Sequence, residues 1–181
     1  MVTAREPGRG LVVCRTLELV ALAVWVGGLV AIVGAVIPAV FNSFGMEPGG
    51  RFLTRVFDGY NRLTTAAIVV LAGTTGWRVR QSQHASVDEP SAGQVQRTEG
   101  LLLTVMILIA GLIILVLGPS SVMLQEQAFA AQGEAAKKAA YDAFFRTHMI
   151  VRALYVVNLG LGIALLAVKA ARWTNAQQAA T

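Results

Sequence analysis

Cysteine and histidine are nearly missing from this chain. Cys14 is the only thiol, and His84 and His148 are the only imidazoles. One cysteine permits no internal disulfide, and without a CxxCH run there is no covalent haem attachment. A zinc site takes three or four His, Cys or carboxylate ligands, so a protein-only zinc site is not expected. A bis-imidazole haem between helices needs two intramembrane histidines. His84 stands in a polar, Ser/Gln-rich stretch, which leaves one His-ligated pigment or five-coordinate haem as the most that the imidazoles could serve. Charge is scarce too, at 14% Asp, Glu, Lys and Arg. No Ser/His/Asp set, paired acids or phosphate-binding loop stands out. Catalysis is therefore not expected, and no cofactor is expected beyond a bound lipid or that single pigment.

What the chain has in quantity is apolar length. Its hydrophobic content is 55% and its mean hydropathy +0.61, outside the range of ordinary soluble domains. A hydrocarbon core of ~30 Å needs about 20 apolar residues in a helix. Four stretches meet or approach that length: 17–37, 63–79, 101–117 and 149–168. The fold class expected is an all-α membrane protein, one four-transmembrane-helix bundle over 1–181. Amphipathic segments at about 51–60 and 122–147 precede the second and fourth spans. With no proline from Glu134 to Arg172, helices two and four should extend out of the membrane as a small helical cap.

The punctuation is sparse. Pro38 should end or kink the first helix, Asn42–Gly50 reads as a turn, and Gly118-Pro119 should stop the third helix, with Ser120 or Ser121 capping a new one. A bend near Gly59 is expected between the amphipathic segment and span two. Span two is rich in hydroxyls (Thr64, Thr65, Thr74, Thr75), which usually bond back to their own helix carbonyls.

A net charge of +5 and a pI near 10.0 do not point to nucleic acid, because no basic stripe with interleaved aromatics occurs. The basic residues cluster at span ends, as interfacial anchors do. With four spans, the side holding both termini carries eight Lys/Arg against seven on the other. That small excess favours cytoplasmic termini, and the short polar segments suit a prokaryotic inner membrane. The partners expected are the lipid bilayer and other membrane subunits or further copies of the chain.

Two sets of residues stand out. Gly27, Ala31 and Ala35 repeat every fourth residue, and with Gly28 they form a small-residue ridge suited to close helix packing. His148, Arg152 and Tyr155 share one helix face at i, i+4 and i+7, and Asn158 follows. They are either an interfacial anchor or a site for an anion, a lipid headgroup or an axially ligated pigment. Glu18, in the first helical turn, reads as an interfacial acid favoured by the helix dipole or as a proton relay.

Trp25-Val-Gly27-Gly28, Pro38 followed by Phe41, and Phe145-Arg-Thr-His148 leading to Asn158 resemble the transmembrane protein 205-like family of small four-span proteins. The likeness runs from about Thr16 to Arg172. It implies a four-helix membrane bundle and little mechanism. Export or trafficking has been attached to the family, and this chain lacks a thiol or thioether path that would carry it over. The expected role is a non-catalytic accessory or structural subunit packing against a larger membrane complex, of respiratory or photosynthetic type. The alternative is a small oligomeric transporter using the span-two hydroxyls and the His148/Arg152 face.

Overall fold

Apolar runs of this length can satisfy their backbone in hydrocarbon by coiling into helices, and those of this chain do so. The computed structural model describes residues 9–83 and 97–178. Among them only Gly45 and residues 131–133 lie outside helical turns. The first rod is α1 (Arg9–Ala31), a π-helical turn at Ile32–Val36, and α2 (Ile37–Phe44). The second is α3 (Met46–Gln83). The third is α4 (Arg97–Leu112), a π-helical turn at Ile113–Leu117, and α5 (Gly118–Ala130). The fourth is α6 (Glu134–Gln178), whose 45 residues make a rod about 68 Å long. The α1–α2, α4–α5 and α6 rods are long and apolar enough to cross a membrane. In α3 the threonines, Gly73, Gly76 and Arg78 dilute the apolar run, which explains why it stands apart.

Pro119, expected to stop a helix, and Pro38, expected to end or kink one, both sit inside a continuous helical rod. Proline has no N–H to give the carbonyl four residues back, and its ring crowds that carbonyl. The chain widens by one residue just before each. The Ile37 N–H bonds the Ile32 carbonyl, and the Gly118 N–H bonds that of Ile113. The widened turn absorbs the proline, so the rods run on. Ser120 does not cap a new helix; its hydroxyl donates to the Val116 carbonyl at 2.9 Å. At Gly59 α3 runs on, so residues 51–60 and 63–79 belong to one long helix. The real corners are single glycines with positive φ, Gly45 at 73° and Gly133 at 85°, a backbone state that a Cβ disfavours.

The two halves follow one plan. A shift of 81 residues carries Glu18 onto Glu99, Leu22 onto Leu103, Trp25 onto Met106, Leu29 onto Ala110 and Ile32 onto Ile113, all of them buried. The same shift superposes the π turns and sets Pro38 on Pro119. In the return helices a shift of 94 residues, the spacing of the bonded pair Asn61 and Tyr155, carries Thr64 onto Asn158, Leu71 onto Leu165 and Arg78 onto Arg172. Each half is thus an apolar rod, a glycine corner and a long return helix.

The halves are not packed identically. α1 lies along α3 and α6, while α4 and α5 lie along α6. α3 reaches the α4–α5 rod through long side chains, including Arg51 to Glu126 at 2.9 Å and Arg78 to Glu99 at 3.0 Å. One pair of equivalent positions differs in keeping with this. Gly162 lets α6 settle on Val26 of α1, whereas its counterpart on α3 is Ile68.

Candidate functional site

The interior is layered. At the end where α1 and α4 begin, Glu18 and Glu99 are 2% and 1% exposed. An unpaired carboxylate in that position is very costly, so each is met by cations. Arg78 Nη1 donates to Glu18 Oε2 at 2.9 Å and to Glu99 Oε1 at 3.0 Å. Lys169 Nζ donates to Glu18 Oε2 at 2.6 Å and also to Glu99. Arg172 donates to Glu99 Oε2 at 2.7 Å. Four elements, α1, α3, α4 and α6, are tied by this network, and each acid binds cations from both halves of the chain.

Beyond the charges comes an apolar layer of Leu22, Leu71, Leu103, Met106 and Leu165, all buried. Between Arg78 and Thr64 the helix climbs about 21 Å, and at Thr64 the interior becomes polar again. There a cavity of about 10 Å³ is lined by Trp25, Tyr60, Asn61, Thr64, Ala110, Ile113, Ile114, Tyr155 and Asn158. The Tyr60 hydroxyl donates to the Trp25 carbonyl at 2.8 Å. The Tyr155 hydroxyl donates to Asn61 Oδ1 at 3.0 Å. Thr64 Oγ1 and Asn158 Oδ1 are buried with no hydrogen-bond partner.

The four residues singled out on the last helix are divided by this arrangement. His148 and Arg152 are exposed, and the His148 ring lies 5.4 Å from that of Phe144 on the preceding turn. Tyr155 is half-buried and Asn158 is 4% exposed, so the face turns from the surface into the bundle along its length. The glycine ridge divides as well. Gly28 faces the Tyr60 ring, 3.1 Å from where a Cβ would stand. Gly27, Ala31 and Ala35 point outward, with nothing within 4 Å of a Cβ at Gly27. His84 lies outside the described residues.

The charge network is what the sequence reading missed. Glu18 is not an interfacially solvated acid, because it is enclosed by Arg78 and Lys169. Glu99, Arg78 and Lys169 fall at the edges of apolar runs and read as boundary charges. The available signal was that all four stand at the same end of the bundle, two acidic and two basic. Among the described residues no three His, Cys, Asp or Glu side chains converge as a metal-binding group.

Long apolar rods around a core of alternating polar and apolar layers define a helical membrane protein. Residues 20–130 match the family described as a domain of unknown function, DUF4149. The match covers more than half of the chain, and the chain belongs to that family. No curated protein and no solved structure matches it.

Proposed function

We propose that this is a non-catalytic integral membrane protein that serves as a packing subunit, joining a larger membrane assembly through the outer face of α1. The observation that carries the reading is an asymmetry between the halves. Lipid-facing positions default to large aliphatic residues, as on α4, where Leu108 and Leu112 are 66% and 44% exposed and Val116 beyond them 54%. The equivalent positions on the first rod are Gly27, Ala31 and Ala35, also exposed. Small residues on an outward face give up lipid contact and admit a neighbouring helix. In this reading α3 crosses with the other three rods, as in the transmembrane protein 205-like pattern. The corner regions around Gly45 and Gly133 form a small cap, and the termini face the cytoplasm of a prokaryote. Purification at native expression in a mild detergent tests it. Co-purifying subunits or a defined multimer is the expected result, and recovery as a free monomer alone overturns it.

A second reading, a small oligomeric exporter, is supported by the outward position of His148 and Arg152, which would line a path between copies. It predicts solute flux in proteoliposomes that falls in His148→Ala and Arg152→Ala.

A further inference from the structure

We propose that the cavity between α3 and α6 is a binding site for one water molecule, held by Thr64 and Asn158 as a bridge between the two halves of the bundle. A water needs at least ~10–15 Å³ and two to four polar partners, and this cavity, at about 10 Å³, is of that size. Thr64 and Asn158 are 2% and 4% exposed, too buried for bulk solvent to satisfy them.

The bonding of the neighbours says what the guest must bring. Tyr60 and Tyr155 have each given their proton away, to the Trp25 carbonyl and to Asn61 Oδ1. The Tyr60 hydroxyl lies close to Thr64, but its proton is spent on the Trp25 carbonyl, so it gives none to the Thr64 lone pairs. Thr64 also differs from the hydroxyls of Thr54, Thr65, Thr74 and Thr104, each bonded to the carbonyl four residues back. Unused lone pairs therefore face the cavity, and they call for a hydrogen-bond donor with two protons to give. Water is such a donor at this size. The shift that relates the halves places Thr64 and Asn158 at equivalent positions, so each half aims its unpartnered group at the same space. A buried polar group without a partner carries its whole desolvation cost, and one shared water removes that cost for both.

The test is a structure of the full chain in lipid nanodiscs at a resolution that shows ordered waters, with thermal unfolding of variants beside it. One density peak within hydrogen-bonding distance of both Thr64 Oγ1 and Asn158 Oδ1 is expected. Thr64→Val and Asn158→Leu should each lower the Tm, and the double variant should lower it by less than the sum of the two. An empty cavity in the wild-type map overturns the proposal. So does a peak at cation–oxygen distances whose height follows the sodium concentration, and so do strictly additive variants.

Discussion

Gly162 and Val26 touch where a side chain would not fit: a Cβ on Gly162 would stand 2.6 Å from Val26 Cγ2. This contact sets how closely α6 approaches α1. Gly162→Ala should force the helices apart and lower stability by about 1–3 kcal/mol, the usual cost of overpacking. Gly162→Ala with Val26→Ala should recover much of the loss. Reversible unfolding in mixed micelles measures both.

The charge layer predicts an order among its acids. Glu99 accepts from three cations, Arg78, Lys169 and Arg172, and Glu18 from two. Glu99→Gln should therefore destabilise the bundle more than Glu18→Gln. Removal of Arg78, which serves both acids, should cost on the order of 3–5 kcal/mol. Equal losses in the two Gln variants would show that the acids are not held as the geometry indicates.

Tyr60→Phe removes one hydroxyl and leaves the ring that covers Gly28. The Trp25 carbonyl loses the tyrosine proton, and a loss of about 1 kcal/mol is expected. Tyr60→Ala should cost several times more, since the ring itself is 4% exposed. Thermal scans of the two variants separate the bond from the packing.

On the outer face the expectation reverses. Gly27→Leu meets nothing within 4 Å of its Cβ, so the Tm of the isolated chain should not fall. The size of the assembly on a native gel in mild detergent should fall. An unchanged assembly would remove the ridge from the packing role.

Much of the fold was legible because hydrophobic length is a one-dimensional property. The apolar runs and the long α6 follow from spacing alone, whereas the shared face of His148, Arg152 and Tyr155 did not foretell that only its far end, at Tyr155 and Asn158, enters the bundle. The stop expected at Gly118-Pro119 misled because helix termination is judged from local chemistry, while a π turn uses residues before the proline to carry the helix past it. The charge network was hidden for a different reason. Glu18, Arg78, Glu99 and Lys169 are far apart in sequence, and each is ordinary at the edge of an apolar run. Only their convergence shows that they neutralise one another. Glu18 in particular needed a partner that no local pattern supplies.

The π turns at Ile32–Val36 and Ile113–Leu117 hold one residue more than an α-helix would use for the same path. A chain shortened by one residue within either turn would close to an ordinary helical turn, keeping the buried face on its N-terminal side in phase but setting the proline ring against the carbonyl four residues back. The same deletion in the middle of α1 would swing Glu18 and Leu22 about 100° relative to Leu29. The rods thus carry their extra residue at a fixed address, next to the prolines that need it and away from the helix stretch that aligns the acids.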